Sequence, residues 1–183
     1  MTRYYYLFVF VTLSMALGVT AWTYTKQKEE RLETVKVEVK NSMAAEEWFG
    51  AEKGLREIWK AEPDCETTPF MLGLSLHYQE KFDEAREMFL ESYKRGYKTA
   101  LSQYNIACGY ALSGEKDLAV QYLEKAFELD YSNVEFILDD ADLDSLHDRE
   151  DFKNLLERME KRQHEKDAAK GKEIVDYYNP DNL

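Results

Sequence analysis

The chain echoes itself every 34 residues. Laid back by that interval, Ala119 falls on Ala85, Leu123 on Phe89, Ala126 on Ser92 and Tyr131 on Tyr97; a second step reaches Ala51, Leu55, Ile58 and Pro63. A fixed period of this size restricts the chain to folds built from one supersecondary unit used several times. Such a unit cannot bury its apolar face alone and must stack on its copies.

The pattern inside each period is helical. Ala51, Leu55, Ile58 and Trp59 share one helix face that ends near Ala61, where Glu62-Pro63-Asp64 breaks it. Thr67 and Thr68 are placed to cap a second helix with Pro69 just inside it. Gln79-Glu80-Lys81 then forms a polar turn into a partner helix from Phe82 to Lys94, which Gly96 ends. The cycle recurs with Leu101 to Leu112, the turn Ser113-Gly114-Glu115, and Lys116 to Leu129. With only 8 glycines and 3 prolines the composition favours helix throughout, so the expected fold class is all-α.

Two antiparallel helices joined by a three-residue turn at this period resemble the tetratricopeptide repeat family. Leu72, Gly73, Ala85 and Phe89 carry the resemblance in one unit, and Ile106, Ala107, Ala119 and Leu123 carry it in the next. The resemblance implies a short α-solenoid over 44–133, with a degenerate unit at 44–65 and fuller ones at 66–99 and 100–133. Residues 134–163, with Leu143, Leu146, Phe152, Leu155, Leu156 and Met159, resemble the segment that closes bacterial arrays of this type. A capping helix covers an apolar end that would otherwise face water. Residues 164–183 are charged, weakly patterned and expected to be mobile.

The N-terminus reads differently. Tyr4 to Tyr24 are 21 residues without a charge, enough at helical rise to cover a bilayer core of ~30 Å. Residues 1–25 are therefore expected to form a single transmembrane helix or signal segment, followed by a juxtamembrane helix over 26–43. Val19-Thr20-Ala21 keeps open a cleaved signal and a secreted or periplasmic module. Lys26, Lys28, Arg31 and Lys36 place the body in the cytoplasm by the charge rule, but long domains translocate regardless. The expected placement is a single-pass membrane protein with an extracytoplasmic body.

The chemistry on view is sparse. A net charge of -12 excludes a nucleic-acid partner, whose phosphates require clustered Lys and Arg. Asp140, Asp142, Asp144, Asp148 and Asp151 are spaced like calcium-loop ligands, but Ser145 stands where glycine is needed and Asp151 where a bidentate Glu closes the cage. His77, His147 and His164 are too scattered for a zinc site. Cys65 and Cys108 are offset by roughly 10 Å along paired helices, which makes them free buried thiols rather than a disulfide. No nucleophile elbow or phosphate loop is present, so neither enzyme activity, metal nor cofactor is expected.

Binding is the expected role. The family's layout implies a concave face made by the first helix of each pair, with Thr67, Phe70, Leu74 and His77 from one and Leu101, Tyr104, Cys108 and Ala111 from the next. That apolar, aromatic groove is expected to hold a peptide or helix of another protein, with Phe70 and Tyr104 as anchors. A competing possibility is that Leu74 and Cys108 pack against the chain's own first unit or capping helix. Another is a regulatory subunit of an enzyme complex.

Overall fold

The computed structural model describes residues 2–177, and the side chains of residue 15 and of 17–169. Among the described residues there are only helices: α1 (Thr2–Ala44), α2 (Trp48–Ala61), α3 (Thr67–His77), α4 (Phe82–Lys94), α5 (Thr99–Leu112), α6 (Lys116–Glu128), α7 (Val134–Asp139), a 3-10 helix η1 (Ala141–Leu146) and α8 (Glu150–Tyr177). They form two compact units, 1–64 and 65–183.

In the first unit α2 lies against the C-terminal part of α1. Ala51, Leu55 and Ile58 are buried on α2, and Val35 and Val39 on α1. The helices cross where Gly54 has no side chain, since a Cβ there would collide with Val39 Cγ2. At the edge Lys36 Nζ lies 2.8 Å from Glu62 and 3.0 Å from Glu33, which raises the lysine's pKa.

α1 continues without interruption through the expected boundary at 25/26. Among the described residues no helix is long and apolar enough to cross a membrane. This overturns the expected transmembrane helix and, with it, the single-pass extracytoplasmic membrane placement. From Lys26 onward α1 is rich in Lys and Glu. The side chains of residues 1–14 and 16, most of the expected span, lie outside the described residues.

In the second unit each helix packs on its successor, α3 on α4, α4 on α5 and α5 on α6. The 34-residue spacing is written into the backbone as well. Left-handed residues occur at Glu80 (φ 60°) and Gly114 (φ 79°), and again at Gly96 (φ 80°) and Asp130 (φ 75°). At the first pair of positions the chain turns sharply between helices, with Lys81 N bonded to Leu76 O (3.0 Å) and Glu115 N to Tyr110 O (2.9 Å). At the second pair it leaves a helix, with Tyr97 N on Ser92 O (3.1 Å) and Tyr131 N on Ala126 O (3.0 Å). Small residues sit at the crossings: Ala85, Ser92, Ala119 and Ala126 are buried, and Gly73 lies beneath the ring of Phe89.

The expected threonine cap of α3 is absent. Its N-cap is Glu66 with no side-chain bond, and Thr67 Oγ1 instead lies 3.4 Å from Cys65 Sγ. Both thiols are free, as expected, but only Cys108 is buried; Cys65, which precedes α3, is half-buried.

The segment after α6 folds back. Asn133 caps α7 by accepting from Phe136 N, and Asp140 caps η1 by accepting from Asp142 N (3.0 Å). These caps turn the chain so that Ile137, Leu143 and Leu146 join Phe152, Leu155 and Met159 of α8 in one core with Ala107, Leu123 and Phe127. Arg158 pairs with Glu124 at 2.6 and 3.0 Å, and Arg162 donates to Phe127 O at 2.9 Å over the Phe127 ring, tying α8 to α6. α8 then runs on to Tyr177 through the stretch expected to be mobile from 164, a run whose Glu, Lys and Ala residues favour helix. Residues 178–183 lie outside the described residues.

Candidate functional site

A cavity of about 490 Å³ opens between α3, α5 and the α7–η1 segment. α3 contributes Phe70, Leu74 and His77, and α5 contributes Leu101, Tyr104 and Cys108. Each set falls at helical spacings of three and four, so each forms one face. Phe70 and Tyr104, like Leu74 and Cys108, are one 34-residue step apart and therefore take equivalent positions on neighbouring helices.

Six of the eight expected groove residues thus meet at one cavity, and two do not. Thr67 is exposed at the start of α3, and Ala111 is buried in the core beneath η1. The character of the groove also differs from expectation. Phe70 and Tyr104, the expected anchors, are 1% and 2% exposed and belong to the core. Phe70 packs edge-on against Phe89 (5.6 Å) and Tyr97 (5.9 Å), while Tyr104 is covered by Tyr131 (4.7 Å) and Phe136 (5.9 Å). The half of the wall made by α5 is thus plugged by the chain's own return segment. What remains open is bounded by half-buried Leu74 and Leu101 and by exposed Tyr78 and Phe136.

The plug brings acid with it. Asp140 accepts the Tyr104 hydroxyl proton, and its Oδ2 lies 3.8 Å from the Cys108 thiol. Asp142 Oδ2 lies 2.7 Å from His77 Nε2. The sequence singled out these carboxylates only for their calcium-loop spacing and did not connect them to the groove. The only local signal was the Asp-Ala-Asp spacing that caps η1, and nothing in it shows that the turn returns over α5. The calcium-like series does not converge. Asp140 and Asp142 face α3 and α5, whereas Asp151 pairs with Arg149 at 2.9 and 2.7 Å.

Burial, the nearby Cys108 and Asp140 hold the Tyr104 hydroxyl far above the usual tyrosine range. Burial first, then the charges of Asp140 and Asp142, push the Cys108 thiol well up. Tyr131 is pushed up to about 12 by burial, with Cys108 and Asp140 adding to it. All three groups are held in their neutral forms, the opposite of what a nucleophile or base requires.

A larger cavity of about 680 Å³ lies between residues 130–134 and the stretch Glu160–His164 of α8. Its walls are mostly exposed, and Lys166 bridges to Asp130 beside it.

Comparison with known proteins decides the family. Residues 70–168 match the family described as A/B hydrolase-like, N-terminal domain. The chain belongs to that family. This overturns the tetratricopeptide assignment. The match runs as one stretch from α3 into α8, taking in the return segment and α8 together with the hairpins. Small residues at helix crossings produce a 34-residue echo without belonging to the tetratricopeptide family. A chloroplastic protein from Arabidopsis thaliana is 30% identical over 91 residues, 48% of this chain and 27% of that protein. The chain therefore spans about a quarter of the length of the curated relative it matches.

Proposed function

We propose that the chain is a non-catalytic helical binding module, an accessory domain that holds an apolar side chain of a partner polypeptide in the open part of the cavity between α3, α5 and α7. The succession α3 to α6, closed by η1 and α8, acts as a short α-solenoid that presents this cavity. The observation that carries the reading is the lining: Leu74, Tyr78, Leu101 and Phe136 remain accessible around a cavity of about 490 Å³. Accessible apolar residues around a concavity are the usual mark of a binding patch. The neutral states of Cys108 and Tyr104 support a binding role over a catalytic one. The family is described as an A/B hydrolase-like N-terminal domain, which supports testing a hydrolase-like polypeptide as the partner first.

A photo-crosslinking residue at Leu74 or Phe136 is expected to capture that polypeptide, whereas one at Leu112, which is exposed outside the cavity, is not. Leu74→Glu should abolish capture from position 136 while leaving the helical circular dichroism unchanged. Equal capture from all three positions, or capture that survives Leu74→Glu, refutes the proposal.

A further inference from the structure

The lining of the cavity includes a set of groups that the binding role leaves unused. Cys108 Sγ, a carboxylate oxygen of Asp140 and one of Asp142 all lie within 4.8 Å of one another. In a tetrahedral zinc site with metal–ligand lengths of about 2.0–2.3 Å, ligand atoms stand roughly 3.3–3.8 Å apart. The 3.8 Å between Cys108 Sγ and Asp140 Oδ2 is already at that spacing. Drawing in Asp142 takes a side-chain movement of about 1 Å or less.

A second observation comes from His77. Its ring lines the same cavity, is 7% exposed, and uses Nε2 on Asp142, leaving Nδ1 with no hydrogen-bond partner. A buried polar atom without a partner is costly to keep. His77 is thus a buried, incompletely satisfied group at the edge of the cluster, and its Nε2 fixes the orientation of the Asp142 carboxylate.

We propose that Cys108, Asp140 and Asp142 form a binding site for a divalent transition-metal ion of the zinc or cobalt type. A thiolate ligand selects such ions over magnesium and calcium, whose preference is for oxygen alone. Binding displaces the Cys108 proton to solvent, so that the ion must outcompete the burial that keeps the thiol neutral. Two carboxylates and the resulting thiolate exceed the ion's charge by one, and the three groups come from α5 and the turn into η1, so the ion clamps the return segment onto α5. His77 and Tyr104 act as positioning residues, since each already holds one of the carboxylate ligands by a hydrogen bond. The ligands Cys108, Asp140 and Asp142 are different residues from the apolar ones assigned to polypeptide binding, so the site stands or falls separately from that reading.

The test is titration of the full chain, purified with chelator, with cobalt(II) followed by absorbance. The expected result is a saturable thiolate-to-cobalt charge-transfer band that zinc displaces. The band should persist in Cys65→Ser and vanish in Cys108→Ser. Asp142→Asn, which leaves the Asp140 cap and the Tyr104 bond in place, should weaken cobalt binding tenfold or more. No charge-transfer band in the wild-type chain, a band lost with Cys65→Ser instead, or unchanged affinity in Asp142→Asn would each overturn the site.

Discussion

Gly73→Ala probes the closest helix crossing in the second unit. A Cβ at this position meets Phe89 Cε1 at 2.7 Å, Cδ1 at 2.8 Å and Cγ at 3.1 Å. Carbon atoms rest at about 3.5–4.0 Å, so the phenyl ring must retreat by roughly 0.8 Å. It has nowhere to go: Phe89 is 0% exposed and its ring stands 5.6 Å from that of Phe70. Overpacking of this kind costs about 1–3 kcal/mol, while alanine regains about 1 kcal/mol over glycine in a helix interior. The net loss, up to about 2 kcal/mol, lowers the unfolding midpoint by up to about 1 M at a urea dependence near 2 kcal/mol per molar.

Because Trp22, Trp48 and Trp59 all lie in the first unit, tyrosine fluorescence and amide exchange in α3 and α4 are the probes to follow. The decisive control is Phe89→Leu. Alone it leaves part of the ring's volume empty and destabilises, but in its presence Gly73→Ala should lose its penalty, giving a coupling of about 1 kcal/mol or more. Additivity of the two changes within about 0.5 kcal/mol would show that the ring does not occupy the crossing and would refute the packing argument.

Four further outcomes are expected. Tyr104→Phe removes the hydroxyl that Asp140 accepts from in a part-buried site and should lower thermal stability by about 1–3 kcal/mol, read by circular dichroism. Phe152→Ala empties a site that is 1% exposed at the root of α8, at a cost of about 3–5 kcal/mol, with loss of amide protection in α8 ahead of α3 and α4. The hydrogen bonds from Arg149 hold the Asp151 carboxyl below the usual range. Its contribution is therefore complete above pH ~3.9 and lost as pH falls through the lower native value, so an NMR titration should show a depressed midpoint that Arg149→Ala removes. Tyr131, pushed up to about 12, favours the neutral form. That stabilisation holds below pH ~10 and is lost as pH rises through the native value, so an ultraviolet titration should show its ionisation well after that of exposed tyrosines.

The helix pairs were legible in the sequence to within a residue or two. Phe82–Lys94 is found as read, and α5 and α6 differ from expectation only at one end. Their signals are local: apolar residues at helical spacing, with a turn residue between. The shared face of Phe70, Leu74, Leu101, Tyr104 and Cys108 was legible for the same reason, because equal register on equivalent helices points side chains the same way. The accessibility of that face was not legible. Asp140 and Asp142 lie more than 30 residues from their partners, and no periodicity links a capping turn to the helix it folds back over.

The sequence by itself determined that the chain is helical, where the helices of the second unit turn, and that small residues would lie at their crossings, since each follows from interactions within a few residues of one another. Only the tertiary structure decided that the return segment fills half of the inner wall, that Tyr104 belongs to the core rather than to a binding surface, and that a thiol and two carboxylates meet there. Those outcomes depend on which buried surfaces meet once α7 and η1 dock. Docking is governed by volume and hydrogen-bond satisfaction across distant segments, which leave no periodic trace along the chain.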